Sequence, residues 1–210
     1  MRLCQRLAIG CAWLLLAGCS GGFRSNLPAA QIYLLRPAIA PAAAASGAVA
    51  TGAAVGNVQV MQPQASAGLA SDRIVVLHSG ERLDYYSGAR WAAPTPAMLQ
   101  MLVIDTLRAS NRFAMVETDA GPFSAEYVLS LELRHFEAEY SAGGPPMVHV
   151  TLDANLGRRG RRGATVGCSA DSQSKAESDR MQAVVAAFEQ ATGAALAQLA
   201  ACIAPPAAPP

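Results

Sequence analysis

The chain has 210 residues, with 16 basic and 15 acidic side chains for a formal net charge of +1, and 52% of its residues are hydrophobic. That length suits one domain with appendages, and so even a charge balance leaves no general nucleic-acid footprint. Removal of Arg2 and Arg6 with a leader peptide would make the balance slightly negative.

The N-terminus, MRLCQRLAIGCAWLLLAGCSGG, joins two arginines to an apolar run, Leu7 to Ala17. The run is too short to span a bilayer, which takes roughly 20 apolar residues, so it reads as a secretory signal. Its ending is specific: Leu16-Ala17-Gly18-Cys19 matches the lipobox of bacterial lipoproteins, where a diacylglyceryl group joins the cysteine sulfur and the chain is cut before it. Residues 1–18 are therefore expected to be a signal peptide and Cys19 the lipid-attachment residue, carrying acyl chains of the palmitate type. Each buried methylene contributes about 0.8 kcal/mol, so two or more chains hold a protein firmly to its membrane. Ser20, where Asp would retain an enteric-type lipoprotein at the inner membrane, favours the outer membrane facing the periplasm.

Residues 19–56 are rich in Ala, Pro and Gly and poor in charge, too little apolar bulk to offset the entropy of ordering, and are expected to form a flexible tether. Residues 31–35, QIYLL between Pro28 and Pro37, have strand composition; whether they join the sheet stays open. No later apolar stretch is expected to be long and uncharged enough to cross a bilayer.

The folded body is expected over 57–203, with 204–210 as a disordered tail. Residues 57–60 open it as a strand, and strands at 73–78 and 82–86 face each other across Ser79-Gly80-Glu81 as a hairpin. Thr95 as cap and Pro96 in the first turn predict a helix to Ser110, with Leu99, Leu102, Val103, Thr106 and Leu107 on its buried stripe and Gln100, Asp105 and Arg108 away from it. Trp91, between strand and helix, is expected in the core.

A short strand at 113–117 precedes a longer one in which Leu129, Leu131 and Leu133 alternate inward. The apolar parity then moves to Phe136, Ala138 and Tyr140, which demands a β-bulge near Arg134-His135. After the turn at 141–146, Val148 to Leu156 alternate as a half-buried strand, GRRGRRG at 157–163 makes the next tip, and 164–170 is expected to return as an edge strand. Ser174-Lys175-Ala176-Glu177 has the form of a capping box before a long closing helix whose face includes Met181, Val184, Val185, Phe188, Leu196, Leu199 and Ile203. The fold class is thus α+β: a single small domain, its mostly antiparallel or mixed sheet packed by two main helices and preceded by the lipidated tether.

Of the five cysteines, only Cys168 and Cys202 remain to pair. A helix starting soon after Cys168 would carry Cys202 roughly 40 Å away at 1.5 Å per residue, so both are expected to be separate, partly buried thiols. Under the Gly143-Gly144 turn, His149 is expected opposite Ala138 and apart from His135, and His78 lies beside another turn, so the three histidines predict no metal site. Glu132, Glu137 and Glu139 read as a solvated strand face. With no nucleophile elbow and no phosphate loop, neither a catalytic residue nor a cofactor is expected. Arg158, Arg159, Arg161 and Arg162 are candidates for contact with an anionic partner, since guanidinium forks match phosphate and carboxylate oxygens, against the plainer reading of a hydrated tip.

Taken together, LAGC at 16–19, IYLLRP at 32–37, SDRIVVLHSGERLDYYSGARWAAPTPAMLQMLVIDTLRASNRFAMV at 71–116, AEYVLSLELRHFEAEY at 125–140, PMVHVTLDANL and AVVAAFEQATGAAL at 183–196 resemble the ABC-type transport auxiliary lipoproteins, which include paraquat-inducible protein C. The chain departs from that family in lacking an aromatic around Cys168 and a Trp around Cys202, and in its GRRGRRG tip and Ala/Pro tail. The resemblance implies a non-catalytic outer-membrane component of an envelope system that moves lipids or other hydrophobic molecules between membranes. Its implied partners are a substrate-binding protein of the mammalian cell entry type and an inner-membrane ABC permease and ATPase. The competing classes are an assembly lipoprotein supporting an outer-membrane complex and a lipid-anchored periplasmic enzyme.

Overall fold

The computed structural model describes residues 29–39, 56–79, 82–141, 143–161 and 164–203; Cys19, most of the tether, Arg162 and the 204–210 tail lie outside them. The chain order is β1 (Gln31–Tyr33), β2 (Asn57–Val60), β3 (Gln64–Ala65), β4 (Arg73–His78), β5 (Arg82–Trp91), α1 (Thr95–Ser110), β6 (Met115–Thr118), β7 (Tyr127–Tyr140), β8 (Met147–Arg158), β9 (Ala164–Lys175) and α2 (Met181–Cys202). All nine strands belong to one mixed sheet, as the α+β reading expects.

The longest strand, β7, organises the sheet. Along one side it meets β2, β3 and β4 in succession, all parallel to it. Along the other it pairs antiparallel with β8, which pairs antiparallel with β9. The 31–35 segment does join the sheet: Gln31–Tyr33 pairs parallel with Ala89–Trp91 of β5. The β7 bulge lies where the parity change places it, with a register shift between Leu133 and His135.

Both helices cover one face. Leu129, Leu131, Leu133, Phe136 and Ala138 of β7 and Val148, Val150, Leu152, Ala154 and Leu156 of β8 are buried there, with Leu99, Val103 and Leu107 of α1 and Val184, Phe188, Leu196 and Leu199 of α2. Trp91 is 2% exposed. Its ring lies 5.2 Å from that of Phe188, edge-on, and 5.9 Å from that of Phe136, so the core placement holds. Burial, and then a hydrogen bond shared with the Tyr140 hydroxyl at 3.0 Å, raise the Tyr86 hydroxyl far above the ordinary phenol range.

Several local expectations are overturned. Thr95 does not cap α1: Pro94 holds the N-cap position, and the Thr95 hydroxyl donates to Ser71 O at 3.0 Å. Gln100 lies inside, its amide donating to Val60 O and to Asp119 Oδ1, both at 2.9 Å, which ties α1 to β2 and to the end of β6. β9 runs on to Lys175, so Ser174 and Lys175 are paired with Val148 and Met147 and form no capping box; α2 starts at Met181 behind Arg180, without a side-chain cap. α2 is also long and apolar enough to cross a membrane by length and composition, contrary to expectation, but its buried side makes it a core helix here.

The largest correction concerns Cys168 and Cys202, which form a disulfide with Cα atoms 6.4 Å apart. β9 carries the chain onward from Cys168 for seven residues, about 23 Å at 3.3 Å each. α2 then doubles back along the sheet for 22 residues, about 32 Å. The two paths nearly cancel. The expectation failed because it ended the strand too early and did not fold the helix back over it.

Candidate functional site on the open sheet face

Among the described residues no helix covers the other face of β7, β8 and β9, and strand alternation fills it with polar side chains. Cross-strand rows run Ser130–Asn155–Gly167, Glu132–Asp153–Ser169, His135–Thr151–Asp171 and Glu137–His149–Gln173. At one end the face forms an open concavity of about 510 Å³ lined by Val128, Ser130, Asn155 and the tip residues Arg158 to Arg161. It continues, sharing Ser130 and Asn155, into a smaller hollow of about 240 Å³ beside Met61, Gln62 and Gln64. Gly167 lies across from Asn155, and a Cβ there would come within 2.9 Å of Asn155 Oδ1.

The arginine tip divides into two kinds of residue. Arg158 pairs with Glu126, while Arg159 donates from Nε to Ala125 O at 2.9 Å and from its terminal nitrogen to Gln59 Oε1. These two latch the end of β8 to the β2 side of the sheet. Arg161 sits at the turn beside Gly160, whose φ of +80° is one that L side chains rarely adopt, and it is exposed. Arg162 lies outside the described residues. The tip therefore presents less uncommitted charge to a partner than four successive guanidiniums suggest.

The free side of β9 is partly closed. The Gln198 side chain of α2 accepts from Asp171 N at 3.1 Å and donates to Asp171 O at 2.9 Å, filling both outward backbone positions as a neighbouring strand would. The Ser174 hydroxyl donates to Gln190 Oε1 at 2.8 Å. Among the described residues the open stretch of the edge is its first half, next to the tip and the concavity.

In the middle of the face the histidines do meet, contrary to the register read from sequence. His149 lies opposite Glu137, one residue from the expected Ala138, and the bulge leaves His135 on the same face. The two imidazole rings stack with centroids 4.4 Å apart and 11° between planes. His135 Nδ1 lies 2.6 Å from Glu137 Oε1, and Glu137 Oε2 accepts from Phe136 N at 2.6 Å. His149 Nε2 lies 2.8 Å from Asp171 Oδ1. Hydrogen bonds from Thr151 and then His149 hold the Asp171 carboxyl below the usual carboxylate range. His78 is elsewhere, stacked on Tyr140. The sequence signal for the cluster was the bulge itself, which shifts the facing of β7 from His135 onward.

The face is thus polar, with an open concavity at one end and a half-blocked edge beside it. The family described as ABC-type transport auxiliary lipoprotein component matches residues 33–204. The chain belongs to that family. The crystal structure of a Xanthomonas campestris protein is similar over 81% of this chain and 93% of its own, at 26% identity and a TM-score of 0.72. A second solved structure, of an uncharacterized protein, is 15% identical with a TM-score of 0.62, covers 83% of this chain and 98% of its own, and speaks to the fold alone. Comparison with curated proteins returns no match. The family is an auxiliary transport component and not a known enzyme family.

Proposed function

We propose that this auxiliary lipoprotein is held by acyl chains on Cys19 in the outer membrane, facing the periplasm. There it receives a mammalian-cell-entry-type substrate-binding protein that works with an inner-membrane ABC permease and ATPase to move lipids or other hydrophobic molecules. The family match over 33–204 carries this reading, and the lipobox at Cys19 and the open, shallow face support it. Strand order adds a geometric argument. The membrane-proximal chain enters the sheet at β1, and β5, β4, β7 and β8 separate β1 from β9. Five strand spacings of about 4.8 Å put the free edge roughly 24 Å from the entry point. A partner docking beside the tip and the first half of β9 thus meets the side away from the anchor.

Two measurements test the proposal. Membrane fractionation on a density gradient should place the wild-type protein with the outer membrane, and a Cys19→Ala chain exported and processed behind an ordinary cleavable signal peptide should be released from it. Retention of that processed variant in washed membranes would reject the lipid anchor. Photo-crosslinkers at Ser130, Asn155 and Arg161 should capture the substrate-binding protein. Crosslinks confined to the helix-covered side would reject docking on this face.

A further inference from the structure

We propose that His135, Glu137 and His149 form a binding site for one divalent transition-metal ion of the zinc class. One ligand atom from each lies within 4.8 Å of the others, although the residues come from two strands. Two imidazoles and a carboxylate are a donor set that zinc and its neighbours accept, at about 2.0–2.2 Å per ligand bond with further positions left for water.

Three features argue for more than a surface hydrogen-bond network. The first is the bulge. With strict alternation after Leu133, position 135 would point into the core; the extra residue Arg134 turns His135 onto the face that carries Glu137 and His149.

The second is Glu137, whose side chain is only 9% exposed. A carboxylate taken that far out of water needs a compensating cation or a full set of donors. One oxygen is fixed by Phe136 N–H, and the other faces His135 across 2.6 Å. A metal ion between Oε1 and the imidazoles would supply that charge.

The third is Asp171, which accepts from the Thr151 hydroxyl and contacts His149 Nε2, the place from which a carboxylate orients a ligand imidazole. The nearby cation Arg134 is drawn aside to Glu132 at 3.5 Å and Asp153 at 3.7 Å.

Ion binding requires one rearrangement. Stacked rings send their lone pairs along parallel planes, so one ring must turn for both nitrogens to reach a common point. His135 has the room, with its side chain 47% exposed, whereas His149 is 21% exposed and held by Asp171. Closing the site should therefore swing His135 and leave His149 where it is.

The test uses the full-length, untagged lipoprotein in detergent, stripped with chelator, and zinc chloride as the probe in isothermal titration calorimetry. One ion per chain is expected, with His135→Ala and His149→Ala each weakening binding by 10-fold or more and His78→Ala leaving it unchanged. Cobalt(II) should give visible ligand-field absorption that both variants lose. Urea midpoints of the stripped variants check that they fold, and His149→Gln is the substitute if His149→Ala does not. Absence of saturable zinc binding, or binding that survives loss of both histidines, would overturn the site and leave a hydrogen-bond network only.

Discussion

Removing the Cys168–Cys202 bond should weaken the domain more than the modest burial of the two sulfurs suggests. The bond closes a loop of 34 residues containing most of β9 and all of α2. Chain-entropy theory gives a loss of about 2.1 + 1.5R ln n cal/mol/K, which at this loop length is about 3.8 kcal/mol at 25 °C. Both side chains are half-buried, so serine in their place leaves little cavity and the entropic part dominates. Urea unfolding of the full-length protein in detergent, followed by far-ultraviolet circular dichroism, measures the effect. With a denaturant slope of about 2 kcal/mol/M, the Cys168→Ser/Cys202→Ser variant should unfold about 1.9 M earlier. The reduced wild type should match it. A double variant within about 0.3 M of the oxidised wild type would refute the argument, as would native protein whose cysteines alkylate without a reductant.

The other substitutions probe the core and the end of α2. Trp91→Ala removes a ring enclosed by Phe136 and Phe188 and should cost about 3–5 kcal/mol by chemical denaturation; a near-wild-type midpoint would mean that the ring does not support the core. Arg112 donates to the carbonyls of Ala200, Ala201 and Ile203 at the C-terminus of α2, where a cation also meets the negative end of the helix dipole. Arg112→Ala should cost about 1–2 kcal/mol, and a double-mutant cycle with the disulfide should be non-additive, because both ties hold the same helix end. Strict additivity of the two losses would show that they act independently.

What the sequence showed clearly was whatever depends on periodicity within one element. The parity change from Leu133 to Phe136 located a real bulge, and the spacing of Leu99, Val103 and Leu107 marked the buried side of α1. Features set by how two elements meet were hidden. A one-residue offset across the 141–146 turn separated His149 from Glu137 on paper, and such a slip changes every cross-strand neighbour. Ser174 and Glu177 satisfied a capping pattern, yet pairing between Ser174 and Val148 outweighed that local preference and delayed the helix to Met181. Gln100 was placed away from the buried stripe, although its amide reaches the Val60 carbonyl of β2 and the Asp119 carboxylate.

The same distinction bears on docking. From sequence, 164–170 reads as an edge strand beside four arginines that are candidates for contact with an anionic partner. In the structure three ties fix α2 near that edge: the disulfide at Cys168, the Gln198 amide on both backbone groups of Asp171, and the Gln190 contact with Ser174. An incoming strand along the second half of β9 would have to displace Gln198 and break two hydrogen bonds, each worth about 1 kcal/mol net, before gaining its own. Along the first half it meets no such competitor among the described residues. There the same partner also reaches the concavity beside Ser130 and Asn155 and the exposed Arg161. Gln198→Ala should therefore lengthen the edge open to a partner and strengthen binding if the strand itself is the docking surface. If affinity is unchanged while substitutions at Ser130 and Asn155 weaken it, the concavity is the contact and the edge contributes nothing.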